Sequence, residues 1–140
     1  MAYRTRRRGF VTSAVAAGLV LAVAAHHGSA STMAMSMAGR GGNLSCSGLE
    51  ALWESAGGSS GTAFMAAEIA RAESGGQQNA TDNNTNGSTD RGLWQINSTW
   101  GSLSTYDPAG NARAAVQISH DGTDWSPWVT YTTQAYAGKC

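Results

Sequence analysis

Between Thr62 and Ser74 the chain reads Thr-Ala-Phe-Met-Ala-Ala-Glu-Ile-Ala-Arg-Ala-Glu-Ser, which is apolar over most of a helix's circumference. A helix of that kind has no wet face, so the rest of the domain must wrap it. Phe64 and Ala67 lie on one side, Ala63, Ala66 and Ala70 on another, and Met65, Ile69 and Ala72 continue the apolar surface. Thr62 suits the N-cap. Gly75-Gly76 supply a left-handed stop.

The wrapping material is modest. The chain has 140 residues, enough for one core. Leu49, Leu52, Trp53 and Ala56 recur at helical spacing and stop at Gly57-Gly58. Asp107-Pro108 opens another helix, with Ala112, Ala115, Val116 and Ser119 on its inner stripe. Trp125, Trp128 and Val129 suggest a last short helix, with both tryptophans in the core, and Tyr131 and Tyr136 follow. Residues 77–90 are different: a tract of Gln, Asn, Thr and Asp containing Asn86-Gly87, the signal of a two-residue hairpin turn. Leu93, Trp94 and Ile96 return the chain to the core. The fold class expected is α+β, mostly α, with a small β-hairpin, over residues 45–140.

The segment before this domain reads as an address. Arg6-Arg7-Arg8-Gly9-Phe10-Val11 leads into an apolar run from Val11 to Ala25. That run is shorter than the roughly 20 residues a membrane span needs, so no stable insertion is expected. Basic start, apolar middle and small-residue exit make a signal peptide over residues 1–30, with cleavage after Ala30 or, alternatively, Ala38. Arg7-Arg8 also fits the twin-arginine export pattern; an ordinary secretory signal is the other reading. Residues 31–44 read as a flexible linker. Met33, Met35 and Met37, with His26 and His27, could suggest Cu(I) thioether ligation, but a plain linker accounts for them.

Export agrees with the cysteines. Cys46 and Cys140 are the two in the chain, and an even count outside the cytosol favours a disulfide. No CxxC or multi-histidine pattern is present, so neither a metal nor another cofactor is expected. His120, before Asp121-Gly122, reads as a loop residue. Without residues 1–30, five basic residues face nine acidic ones, a balance of −4. A protein that binds nucleic acid by neutralising phosphates is excluded on that balance.

Two carboxylates stand out. Glu73 ends the apolar helix, where burial and the helix C-terminus both oppose ionisation, as a general acid requires. The alternative is a surface glutamate before a helix stop. Asp90, in Ser88-Thr89-Asp90-Arg91-Gly92, lies among hydroxyls and amides that suit a charged carboxylate, with Arg91's cation alongside; an Asx-turn or an ion pair with Arg91 is the bland alternative. Paired carboxyls in contrasting surroundings suit glycoside cleavage.

Glu73-Ser74, then Asn84-Thr85-Asn86-Gly87-Ser88-Thr89-Asp90, then Gly92-Leu93-Trp94-Gln95-Ile96-Asn97-Ser98-Thr99-Trp100, resembles the active-site region of the lysozyme superfamily. The hairpin, with 17 residues from Glu73 to Asp90, is similar to chicken-type lysozymes. Glu73-Ser74-Gly75-Gly76 and the closing Trp-Tyr segment look more like bacterial soluble lytic transglycosylase-like domains and resuscitation-promoting factors. The likeness covers roughly residues 45–140. It implies a lysozyme-like fold whose hairpin flanks an active-site cleft, and a secreted or wall-associated monomer acting on peptidoglycan glycan strands. The bond cut would be the β-1,4 link between N-acetylmuramic acid and N-acetylglucosamine, by hydrolysis or by lytic transglycosylation. Glu73 would be the general acid, and Asp90 would stabilise or attack the oxocarbenium-like centre. Asn84, Ser88 and Asn97 would hold Asp90 or contact sugar. Gln95 would line the cleft floor or serve as a structural hydrogen-bonder, and Trp100 would stack on a sugar ring.

The chain departs from that pattern in three ways. It has one disulfide at most, an acidic balance, and Arg91 where the animal enzymes usually have an aromatic. The transglycosylase relatives generally lack a second carboxylate, so Asp90 leans towards hydrolysis. A non-catalytic wall-binding module is the competing class; it would bind sacculi without releasing muropeptides.

Overall fold

A computed structural model describes residues 43–140. The expected signal peptide, the Met run and most of the expected linker therefore lie outside the described residues. The element order is α1 (Cys46–Ser55), α2 (Ala63–Ser74), β1 (Thr81–Asn83), β2 (Thr89–Arg91), β3 (Ile96–Asn97), a 3₁₀ segment (Ser98–Leu103), α3 (Pro108–Ile118) and α4 (Val129–Thr132). The domain is mostly helical with one small antiparallel sheet in the order β1-β2-β3. Leu44, next to the expected start at residue 45, is buried, and its N–H donates to the Gly76 carbonyl at 2.8 Å.

The apolar segment is central, as its composition demands. Ala63, Ala66, Ala67, Ile69 and Ala70 of α2 are buried. The small side chains let neighbouring elements approach closely, and α1 packs along it. Phe64 departs from expectation and stands out at 55% exposure. Four tryptophans fill the space beside α2. Trp53 lies against Trp94 and Trp125, with ring centroids 6.2 and 5.5 Å apart, and Trp125 meets Trp128 edge-on at 4.9 Å. Indole N–H groups in a core need partners. Trp94 Nε1 donates to the Ala66 carbonyl and Trp128 Nε1 to the Trp94 carbonyl.

Helix ends follow local chemistry with one exception. Ser45 caps α1 through Gly48 N–H, and Asp107 caps α3 through Gly110 N–H, with Pro108 in the first turn. Thr62 occupies the N-cap of α2 but makes no capping bond. Its hydroxyl instead donates to the Ser59 carbonyl and accepts from Trp53 Nε1. Gly75 takes the left-handed C-cap position of α2.

The hairpin forms with a different turn from the one expected. Asn84 N–H donates to the Ser88 carbonyl, leaving Thr85, Asn86 and Gly87 as a three-residue loop. Gly87 is left-handed (φ 83°), while Asn86 is not among the positive-φ residues. A three-residue loop needs only one left-handed position, which glycine fills without a Cβ penalty. The Asn86 side chain is used otherwise, accepting from Ser88 N–H and Ser88 Oγ. The third strand, β3, pairs with β2 through Asp90↔Asn97 and Arg91↔Ile96.

The sheet is tied to the helices by Asn111, which is fully buried on α3. Its Oδ1 accepts from Trp94 N–H at 2.9 Å. Its Nδ2 donates to the carbonyls of Arg91 and Thr105 at 2.8 and 2.9 Å. Gly92 (φ 77°) must be glycine at this contact, because a Cβ there would stand 2.6 Å from Asn111 Nδ2. Asn111→Leu would strand three main-chain groups, each costing about 1–3 kcal/mol when unpaired. The expected loss is about 3 kcal/mol, read as a lowered midpoint in urea. A variant within about 0.5 kcal/mol of the parent would contradict this account of the sheet's attachment.

Candidate functional site

Glu73 sits in the last turn of α2, half-buried, on the wall of a cleft. Asp90 faces it from the middle of β2. Strand alternation sets that orientation, since neighbouring side chains on a strand point to opposite sides. Arg91 accordingly turns away: its Nη1 donates to Ser104 Oγ and its guanidinium lies over the Tyr106 ring, 5.9 Å from the centroid. The expected Arg91 cation beside Asp90 is therefore absent. One residue of strand register separates the two faces.

Asp90 is held by amides. Asn84 Nδ2 donates to Oδ2 at 2.8 Å and Asn97 Nδ2 to Oδ1 at 2.6 Å. Asn97 reaches Asp90 as its cross-strand partner, and its Nδ2 also donates to Ser88 Oγ at 2.9 Å. Ser88 thus supports Asn97 and has no bond of its own to Asp90. Hairpin residues close in sequence make this whole shell.

Two adjoining hollows share Glu73, Asp90 and Gln95 on their walls. One encloses about 330 Å³ and, beyond that polar trio, is lined mainly by apolar residues, among them Ile96, Trp100, Trp128 and Val129. The other encloses about 500 Å³ and is polar, with Ser74, Gln77, Thr81 and Asp82. The carboxyl pair therefore stands where the two arms of one groove meet. Trp100 is 48% exposed, the one tryptophan outside the core, and lies on the apolar arm. Val129 is 71% exposed on the same arm. Gln95 does both things weighed for it. It lines the groove, and its Nε2 donates to the carbonyls of Ala80 and Gly92 at 3.1 and 2.8 Å. Those bonds hold Gln95 in a left-handed conformation (φ 47°), which is uncommon for a residue with a Cβ.

Burial pushes the Glu73 carboxyl above its ordinary range, a hydrogen bond from Thr130 opposes that, and the negative charge of Asp90 adds to the rise. Thr130 Oγ1 donates to Glu73 Oε1 at 2.5 Å. Sequence reasoning missed this residue. It arrives from α4, 57 positions away, and no local pattern marks it. No group of three or more His, Cys, Asp or Glu side chains able to hold a metal occurs among the described residues.

A buried carboxyl with a raised proton affinity, a second carboxyl fixed across from it, and an open groove on either side can protonate a leaving group within an extended substrate. A family model for a lysozyme-like domain matches residues 50–130, more than half of the chain. The chain belongs to the lysozyme-like domain family. Glu73, the hairpin, the Asp90 shell, Trp100 and Thr130 all lie inside the matched residues. No curated protein and no solved structure matches the chain. The Cys46–Cys140 disulfide of this lysozyme-like domain suits an oxidising, extracytoplasmic setting. No helix among the described residues is long and apolar enough to cross a membrane.

Proposed function

We propose that this protein is an exported enzyme that cleaves the β-1,4 bond between N-acetylmuramic acid and N-acetylglucosamine in peptidoglycan, with Glu73 as general acid. The observation that carries the reading is Glu73 itself, half-buried, raised in proton affinity, and set at the junction of two groove arms. A chain substrate lying along the groove would present its glycosidic oxygen there. Glu73 would donate its proton to that oxygen as the C1–O bond breaks, and the leaving sugar would depart as an alcohol. The C1 centre would become oxocarbenium-like, with Asp90 balancing its charge. Water would then add to C1 and return its proton to the Glu73 carboxylate. Asn84, Asn97 and Ser88 would keep Asp90 in place. Trp100 would offer an aromatic face to a sugar ring on the apolar arm, and Gln95 a fixed floor. The signal peptide over residues 1–30 would deliver the domain to the wall, as a monomer.

A fixed second carboxylate supports hydrolysis over transglycosylation, in which the sugar's own C6 hydroxyl closes the ring. Purified sacculi digested with the protein and analysed by mass spectrometry test both levels. Muropeptides with reducing ends are expected. Products ending in 1,6-anhydro sugar would replace hydrolysis by transglycosylation, and binding without release would leave only a wall-binding module. Asp90→Asn checks the same point independently. It should lower hydrolysis by about 10²-fold or more, because a neutral amide cannot balance a developing cation. An anhydro-forming enzyme should tolerate it far better.

A further inference from the structure

Thr130 does not line either arm of the groove, yet its hydroxyl lies 2.5 Å from Glu73 Oε1. Its place is set by the core. Trp128, just before α4, is buried and anchored through Nε1 to the Trp94 carbonyl, so Thr130 is presented by a rigid neighbour. We propose that Thr130 is the positioning residue of the general acid. By donating to Oε1 it leaves Oε2 to carry the transferable proton and holds the carboxyl plane towards the groove. This rests on the reading of Glu73 as the acid and adds how that acid is oriented.

The electrostatics run the same way. When Glu73 gives up its proton, negative charge develops on its carboxyl in a partly dry site. The Thr130 hydroxyl is then a donor to an anion, a stronger contact than to a neutral carboxyl. The Thr130 main-chain N–H acts on the same carboxyl and in the same direction. The charged groups around Glu73 are few. Asp90 on β2 opposes its ionisation, and Asp82 on β1 lines the polar arm. Arg91 turns to Ser104 and Tyr106, and Arg71 on α2 itself donates to the Gly75 and Leu44 carbonyls. No cation is therefore placed to stabilise the Glu73 anion among the described residues, and the hydroxyl's contribution stands out.

Thr130→Val keeps the side-chain shape and removes the donor; Thr130→Ser keeps the donor. Two readouts follow for parent and variants. The first is the titration of the Glu73 carboxyl followed by carbon-13 NMR, which needs no turnover. The second is kcat, KM and the pH profile on soluble peptidoglycan fragments. In Thr130→Val the Glu73 midpoint should rise and the basic limb of the activity profile should move to higher pH. Its kcat should fall about tenfold with KM changed less than about twofold, since the lost bond strengthens only as charge develops. Thr130→Ser should restore all three. A folded Thr130→Val protein with an unmoved Glu73 midpoint, or a loss that Ser does not rescue, overturns the proposal. A parent that titrates as described but releases no muropeptides overturns the enzymatic reading instead, and the titration still decides whether Thr130 controls the Glu73 proton.

Discussion

Glu73→Gln should abolish nearly all wall-degrading activity, by at least about 10²–10⁴-fold, while binding to sacculi persists. The amide preserves size and can still accept from Thr130 through its carbonyl oxygen. It has no proton to give to a glycosidic oxygen. The effect should fall on kcat, because the missing interaction exists only as the bond breaks. Muropeptide release by the variant at the parent's rate would remove Glu73 from the mechanism. The same variant reports on stability with the opposite sign. Glu73 binds its proton more tightly in the folded chain than in the unfolded one, mainly through burial. Its stabilising contribution is complete below the unfolded carboxyl's pKa and is lost as pH rises through the raised folded value. Glutamine does not titrate. Denaturant midpoints of parent and variant should therefore diverge in the variant's favour as pH rises through that window, and converge in acid. A carboxyl held at a cost to the fold is what that divergence would reveal.

Removing the disulfide should cost about 4–5 kcal/mol, a large part of a small domain's stability of about 5–15 kcal/mol. Cys46 and Cys140 are 94 positions apart, and their Cα atoms lie 5.6 Å from each other. The bond therefore closes nearly the whole domain into a ring, and the long loop takes more freedom from the unfolded chain than a short one would. It also secures the tail that follows α4. Gly138 N–H donates to Glu68 Oε1 at 2.8 Å, a bond to a buried glutamate of α2 that weakens if the tail frays. The paired Cys46→Ser and Cys140→Ser variant should unfold at a markedly lower urea concentration than the oxidised parent. Reduction of the parent should reproduce the shift. A change below about 1 kcal/mol would mean that the unfolded chain is already compact enough to make the ring closure nearly free.

Much of the site was legible because its parts are local. Glu73 was exposed by a contradiction, a carboxylate ending a helix too apolar to lie on the surface. Asp90, its holders Asn84 and Asn97 and the supporting Ser88 lie within 14 residues of one another, in a small sheet whose first turn carries a readable glycine. Trp100 was set apart from the other tryptophans by the resemblance, and the structure leaves it exposed while the other four are buried. The central helix followed from its nearly unbroken apolar composition, the flanking helices from 3.6-residue periodicity and the β part of the fold class from the Asn86-Gly87 turn signal, while the lysozyme-like fold came from the resemblance. The pairing of the two cysteines needed just their number and the export expected from the leading segment.

Other features required the folded chain. The turn at Asn86-Gly87 admits more than one loop length, and side-chain bonds between Asn86 and Ser88 chose the three-residue form. Arg91 beside Asp90 in sequence is opposite to it in space, because strand alternation outweighs adjacency. Asn111 looks like one polar residue in a helix, and only tertiary packing turns it into the clasp of three main-chain groups. Thr130 meets Glu73 across 57 residues of chain. Periodicity and turn chemistry extend a few residues along the backbone, so they determined the elements and the core stripe, while the hairpin-borne half of the candidate site was read through the resemblance to lysozymes. Contacts between distant elements depend on how several helices pack at once, and that packing alone decided which hydroxyl stands beside the half-buried Glu73.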